Sequence, residues 1–174
     1  QCNTSPTCGK RDGSITSARI TTKNKFNVKY GSVQARIDMP SGLGTWPAFW
    51  MLGSDFPELA WPDAGEIDIV EMHYFYSDSR TTHFTTHWGW PRYTDANRPV
   101  CSSGVPALAS DEEQNCFTKS KTFDTPLTDG FHIYELVWNE DSIVGKIDDI
   151  VYFSQAIDPE TMEEFLKKYF LILN

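Results

Sequence analysis

Three carboxylates fall within six residues of one short run, Gly65-Glu66-Ile67-Asp68-Ile69-Val70-Glu71. Between the acids stand only aliphatic residues, so the run reads as a β-strand with one apolar side. Successive strand side chains point to opposite faces, which sets Glu66 and Asp68 together and Ile67 and Ile69 behind them. Glu71 has the wrong parity to join the other two acids. One extra residue at Ile69-Val70, a β-bulge, would turn Glu71 back onto the face of Glu66 and Asp68. Three acids would then line one open surface over an aliphatic floor.

A solvated acidic strand is the plainer account, and it explains the alternation. It does not explain the concentration of like charge, which costs repulsion, on residue types that form strands poorly. Catalysis can use that repulsion. With the bulge, the Cα atoms of Glu66 and Glu71 lie four effective strand steps apart, about 13 Å. Their side chains can lean together until the carboxyls are roughly 5 Å apart, the separation of a retaining glycosidase. Asp68 between them would share a hydrogen bond and help set which glutamate keeps its proton.

The elements that must position this strand can be read along the chain. Residues 1–14 are polar and loop-like. Residues 15–23 and 30–39 alternate polar and apolar, as strands do, and Pro40-Ser41-Gly42-Leu43-Gly44 is a turn. Thr45 to Leu52 is a dense apolar strand whose Trp46 and Trp50, four apart, share a face; core packing accounts for one of them. Residues 53–64 form a loop that delivers Trp61 just ahead of the acids. Residues 80–90 read as a Thr-rich strand carrying His83 and His87. That spacing marks a metal site on a helix, not on a strand, and metal catalysis is not expected. Residues 91–123 read as a long loop. Phe131–Asn139 and Ser142–Phe153 read as a hairpin joined at Glu140-Asp141. Asp158 and Pro159 suit the N-cap and first position of a short helix to about Lys168, before a last strand over residues 170–173. Many strands and little helix predict an all-β antiparallel sandwich.

Composition narrows the partners. A chain of 174 residues supports one domain with a core. Its 6 Trp, 7 Tyr and 11 Phe exceed what that core needs and suggest a surface on which sugar rings stack. A net charge of −9 argues against nucleic acid, anionic membranes and strongly anionic polysaccharides. No apolar run approaches the ~20 residues of a membrane span, and no signal-peptide pattern opens the sequence. Cys2, Cys8, Cys101 and Cys116 lack zinc spacing and allow three pairings. Cys2–Cys8 with Cys101–Cys116 is the expected one, because all four lie in loop-like stretches; four free thiols in a reduced cell is the alternative. With the sequon Asn3-Thr4-Ser5, the cysteines favour an extracellular protein.

Four segments together resemble glycoside hydrolase family 16. They are Trp46-Pro-Ala-Phe-Trp-Met-Leu52, Trp61-Pro-Asp-Ala-Gly-Glu-Ile-Asp-Ile-Val-Glu71, Thr86-His-Trp-Gly89 and Phe131-His-Ile-Tyr-Glu-Leu-Val-Trp138. The resemblance spans roughly residues 15–174. The extra residue before the last Glu resembles the laminarinase, agarase and carrageenase branch, and the Trp61 and His87 neighbourhoods resemble endo-β-1,3-glucanases. What this implies is a concanavalin A-like jelly roll with a substrate cleft across its concave sheet. It implies a retaining double displacement with Glu66 as nucleophile, Glu71 as general acid/base and Asp68 assisting Glu66. Trp46, Trp50, Trp61, His87 and Trp88 would contact the sugar, although a backbone-satisfied strand histidine accounts for His87 equally well. No cofactor is implied for the reaction; relatives often hold a structural calcium with residues near the termini. A monomer acting on a polysaccharide or oligosaccharide is expected.

Two departures carry expectations of their own. Family domains usually have further strands before and after the segments found here, so the domain is expected to be incomplete at both termini. Gly145-Lys-Ile-Asp-Asp149 stands where relatives carry an aromatic and Asp-Gly, which implies an altered contact at the cleft edge. An agarase or carrageenase is the rival within enzymes, and a non-catalytic β-glucan recognition module the rival outside them. Such modules lose the acids, and this chain keeps all three.

Overall fold

The computed structural model describes residues 17–73, 79–89, 102–103 and 115–174. The strands are β1 (Ile20–Thr21), β2 (Gly31–Ile37), β3 (Ala48–Gly53), β4 (Glu66–Glu71), β5 (Thr81–His87), β6 (Ser102–Ser103), β7 (Cys116–Thr122), β8 (His132–Trp138), β9 (Ser142–Ile147), β10 (Ile150–Ala156) and β11 (Tyr169–Leu173). They form two sheets. One has seven strands in the order β1-β11-β3-β4-β5-β7-β6, and the other has four in the order β10-β9-β8-β2. All pairings are antiparallel except the two-residue β6 beside β7. This is the expected β-sandwich.

The acidic strand β4 is the middle strand of the larger sheet, bonded to β3 on one side and β5 on the other. Its Ile67, Ile69 and Val70 are fully buried against the smaller sheet, among Tyr134, Leu136, Ile143, Ile147 and Phe153. Burial of each such side chain stabilises the fold by roughly 1.5–3 kcal/mol. Gly145 of β9 lets the sheets close over this region. A Cβ there would stand 2.3 Å from the Phe84 ring, which stacks on Phe153 with centroids 4.1 Å apart.

Several expectations need correction. The loop expected to run to residue 123 ends sooner, in β7; its Thr, Lys and Ser side chains hide the strand, whose order comes from backbone pairing with β5. The strand expected over Ser142–Phe153 is two, β9 and β10, because Asp148 and Asp149 take φ of 47° and 66° and make a tight turn. That turn belongs to the four-stranded sheet, where Asp148 bonds His132 at 2.5 Å, and not to the cleft edge. No α-helix follows Asp158. Asp158 does bond the Glu160 amide and the Thr161 hydroxyl, but Met162 and Phe165 sink into the core and leave only a 3-10 turn, Glu163–Leu166. Of the strand expected over residues 15–23, only β1 forms among the described residues. Cys2, Cys8 and Cys101, the sequon and the N-terminal share of a calcium site fall outside the described residues; Cys116, in β7, is disulfide-bonded.

Candidate active site

The bulge lies where the acid spacing required it. Across β5, Asp68 faces Thr85 and Glu71 faces His83, so two residues, Ile69 and Val70, stand against one, Phe84. Across β3, Asp68 faces Trp50 and Val70 faces Phe49, so Ile69 is the residue without a partner. A bulge takes a carbonyl out of the ladder, and a buried carbonyl needs a donor. Tyr152 supplies it, its hydroxyl donating to the Ile69 oxygen from the opposite sheet. A second bulge in β10 turns both Tyr152 and Phe153 inward, which aims that hydroxyl. Gly65 admits the chain into β4 at φ +77°, with no room for a side chain beside the Tyr169 hydroxyl.

Glu66, Asp68 and Glu71 therefore share the face of the seven-stranded sheet that turns away from the core. Asp68 is 3 % exposed and the two glutamates are half-buried. Each glutamate meets an indole. Trp46 Nε1 donates to Glu71 Oε1 at 2.9 Å, and the Trp61 side chain hydrogen-bonds Glu66. Burial pushes Glu66 up to about 7, with the charge of Glu71 adding to it. Burial and the two neighbouring glutamates push Asp68 well above the carboxylate range, and it shares a hydrogen bond with Glu66. Burial also pushes Glu71 upward, but contacts with His73 and Trp46 outweigh it and hold the group below its ordinary value.

His87 Nε2 lies 3.7 Å from Glu66 Oε1 and 3.6 Å from Asp68 Oδ2. Burial lowers its pKa to about 4. It is neutral at physiological pH, so these are polar contacts and not ion pairs. One ligand atom from each of Glu66, Asp68 and His87 lies within 4.8 Å of the others, a spacing that suits a cation.

The expected sugar contacts divide. Trp61 is 37 % exposed and Trp46 45 %, each with its N–H turned to an acid and a ring on the cleft side. Trp61 leans on the His87 ring, centroids 5.2 Å apart. Trp50 stands opposite Asp68 in register, but the Arg19 guanidinium covers its ring at 4.9 Å and its N–H bonds Asn174 at 2.7 Å. Trp88 is not on the cleft. It is 1 % exposed and packs edge-on against Phe165, because strand parity turns it to the side opposite His87. Two residues escaped the sequence reading. His73 sits two places beyond Glu71 with Nε2 3.6 Å from Glu71 Oε1; it follows the strand, where alternation no longer signals a face. Glu164 is buried and accepts the Gly89 amide at 3.1 Å, tying the end of β5 to the 3-10 turn.

Known proteins share this arrangement. Residues 3–127 match a family profile described as XgeA-like, catalytic GH16 domain. A β-1,3-glucan-binding protein of Penaeus monodon is 28% identical, covering 92% of this chain and 46% of its own length. Glucan endo-1,3-beta-glucosidase A1 of Niallia circulans is 30% identical, covering 94% of this chain and 22% of its own length. The chain thus spans half or less of these relatives. The laminarinase catalytic domain of Thermotoga maritima superposes with a TM-score of 0.71 at 31% identity, over 90% of this chain and 56% of that one. The profile match, the jelly-roll sandwich and the bulged acid strand place this chain in glycoside hydrolase family 16.

Proposed function

We propose that this domain belongs to a secreted, retaining endo-glycoside hydrolase of β-1,3-glucan or mixed-linkage β-glucan. One observation carries the reading: the bulge at Ile69 sets two glutamates on one cleft face in opposite electrostatic settings. Retaining chemistry needs one carboxylate to attack and one carboxyl to donate. Glu66, bonded to Asp68, is the nucleophile and forms a bond to the anomeric carbon. Glu71 passes its proton to the departing glycosidic oxygen, which keeps the electron pair of the broken bond. Glu71 then takes a proton from water, whose oxygen displaces Glu66 and frees the sugar. In the free protein the proton of the catalytic pair rests on Glu66, and Asp68 holds a proton of its own. The reactive form differs from it by moving one proton from Glu66 to Glu71. Asp68, kept neutral by burial, donates to Glu66 and steadies its charge. The exposed faces of Trp46 and Trp61 are stacking surfaces for the sugar, and no cofactor takes part.

Support for β-glucan as substrate comes from the Niallia circulans glucosidase and the Thermotoga maritima laminarinase. The disulfide state of Cys116 supports an oxidising, extracellular setting. The Penaeus monodon protein supports a second reading, glucan binding without turnover. Against it stand the three retained acids, whose crowding costs stability and brings a binding module nothing. Incubation with laminarin, lichenan, agarose and carrageenan, read as new reducing ends, tests the proposal. Product from laminarin or lichenan is the expected result; binding without product from all four would establish the recognition module.

A further inference from the structure

We propose that His73 is a positioning residue for Glu71: with Trp46 it holds one carboxylate oxygen, Oε1, and leaves Oε2 as the atom that delivers and recovers the proton. The inference rests on the reading of Glu71 as the acid/base. Its geometry is specific. Trp46 Nε1 donates to Oε1 at 2.9 Å, and His73 Nε2 approaches the same oxygen at 3.6 Å, near enough for its charge to act though long for a hydrogen bond. The His73 ring is fixed in turn. It packs on the Trp46 indole with centroids 4.1 Å apart, and stacks on His83 at 5.1 Å with planes 26° apart. His83 is the β5 residue directly opposite Glu71 in register.

The groups that face this cluster are few among the described residues. Glu71 meets His73, the neutral His87, Glu66 and Asp68; His73 meets Glu71 and His83. Burial, with the charge of His73, lowers the His83 pKa, so at neutral pH His83 contributes ring area and little charge. His73 is thus the imidazole whose charge most lowers Glu71, whereas beside Glu66 stand an indole, a carboxyl and the neutral His87. Burial raises Glu66, while the contacts with His73 and Trp46 lower Glu71.

The sign of the test follows. The active pair carries one proton, which rests on Glu66 in the free protein while Glu71 is ionised, so the titration of Glu71 sets the acid limb of the pH–rate profile and that of Glu66 the alkaline limb. Removing a cationic neighbour raises a carboxyl's pKa, by about one unit for a half-exposed contact. We would compare wild type with His73→Gln, which keeps a donor without charge, and His73→Phe, which keeps the ring alone. Two readouts are paired: pH profiles of kcat/KM on laminarin, and substrate-free titration of the Glu71 carboxyl by ¹³C NMR, assigned with Glu71→Gln. In both variants the Glu71 carboxyl should titrate higher and the acid limb should move up by about one pH unit, with the alkaline limb nearly in place and KM within about two-fold. His73→Gln should keep more kcat than His73→Phe, because its amide can still hold Oε1. An unshifted Glu71 titration, or profiles that differ only in height, would overturn the inference. The titration needs no turnover, so an inactive wild type would sink the hydrolase reading alone while the carboxyl still decides His73.

Discussion

Two buried acidic sites lie on opposite sheets and behave in opposite ways. Glu135, on the outer face of β8, is 7 % exposed. It accepts Ser32 Oγ at 2.7 Å, Gln34 Nε2 at 2.8 Å and Lys146 Nζ at 3.1 Å, and these bonds hold its pKa below the ordinary value. Glu66 and Asp68, on the outer face of β4, meet indoles, a neutral histidine and each other. Among the described residues, the positive charge that acts on Glu66 is Arg19, the weakest of the influences there. Both sites set acids among apolar strand neighbours in sequence and expose little area, Glu135 because the Ser32, Gln34 and Lys146 side chains lie over it at the surface of its sheet. What separates them is whether the burial of charge is matched. A matched acid is inert structure; an unmatched pair, on the function proposed above, is held for a reaction that moves charge.

The largest effect should come from Glu66→Ser. With Glu66 as the proposed nucleophile, its loss should lower turnover of laminarin by at least ~10³-fold while calorimetric binding of oligosaccharides stays close to wild type. If turnover survives, β4 is no more chemical than β8 and the contrast collapses. Asp68→Asn should act on both rate and stability. The rate should fall by about 10²-fold, in the range of lost proton-transfer assistance. Stability should change the other way. Burial raises the pKa of Asp68 and Glu66 in the folded state, so the unfolded chain gives up these protons first, near pH 4. Stability is then full below that pH and falls as pH rises toward the folded value of Glu66, about 7. Removing one of the crowded acids should flatten that fall. The variant's unfolding temperature at pH 8 should exceed that of wild type by about 3–6 °C, with little difference at pH 4.

How much of this was legible depended on whether chemistry or backbone pairing carried the signal. The bulge could be read because Glu71 is useless on the wrong face, so its parity alone demanded an extra residue near Ile69. The four-stranded core could be read from Tyr134, Leu136 and Trp138 at alternate positions. β7 could not, since Thr118, Lys119, Ser120 and Lys121 look like a loop until β5 supplies hydrogen-bond partners. The helix after Asp158 was over-read for the converse reason. Its cap residues are sound, but the chain must reach Tyr169 in strand form after a single turn. Trp88 looked like a sugar contact because it neighbours His87, although adjacent strand residues face opposite ways. His73 carried no pattern at all, because its meaning lies in Trp46 and His83, which are distant in sequence.

The smallest effect sharpens the contrast most. Glu135→Gln preserves size and one acceptor oxygen, so Ser32 and Gln34 keep partners while Lys146 loses its carboxylate. The bonds lie at the surface of the sheet, where solvent competes and a single charged partner is worth under about 1 kcal/mol. We expect the unfolding temperature at pH 7 to drop by about 2 °C. The pH dependence should run opposite to that of Asp68→Asn. The folded pKa of Glu135 lies below its unfolded value, so its contribution is present above about pH 4 and disappears as acid protonates the folded state. Wild type and variant should therefore converge in acid, whereas the Asp68 pair diverges in base. Turnover should be unchanged, since the sandwich core separates Glu135 from the cleft. Thermal scans from pH 3 to 9 on the three proteins place both slopes on one axis. Slopes of the same sign would mean that matched and unmatched burial are not different states of the same residue type in this fold.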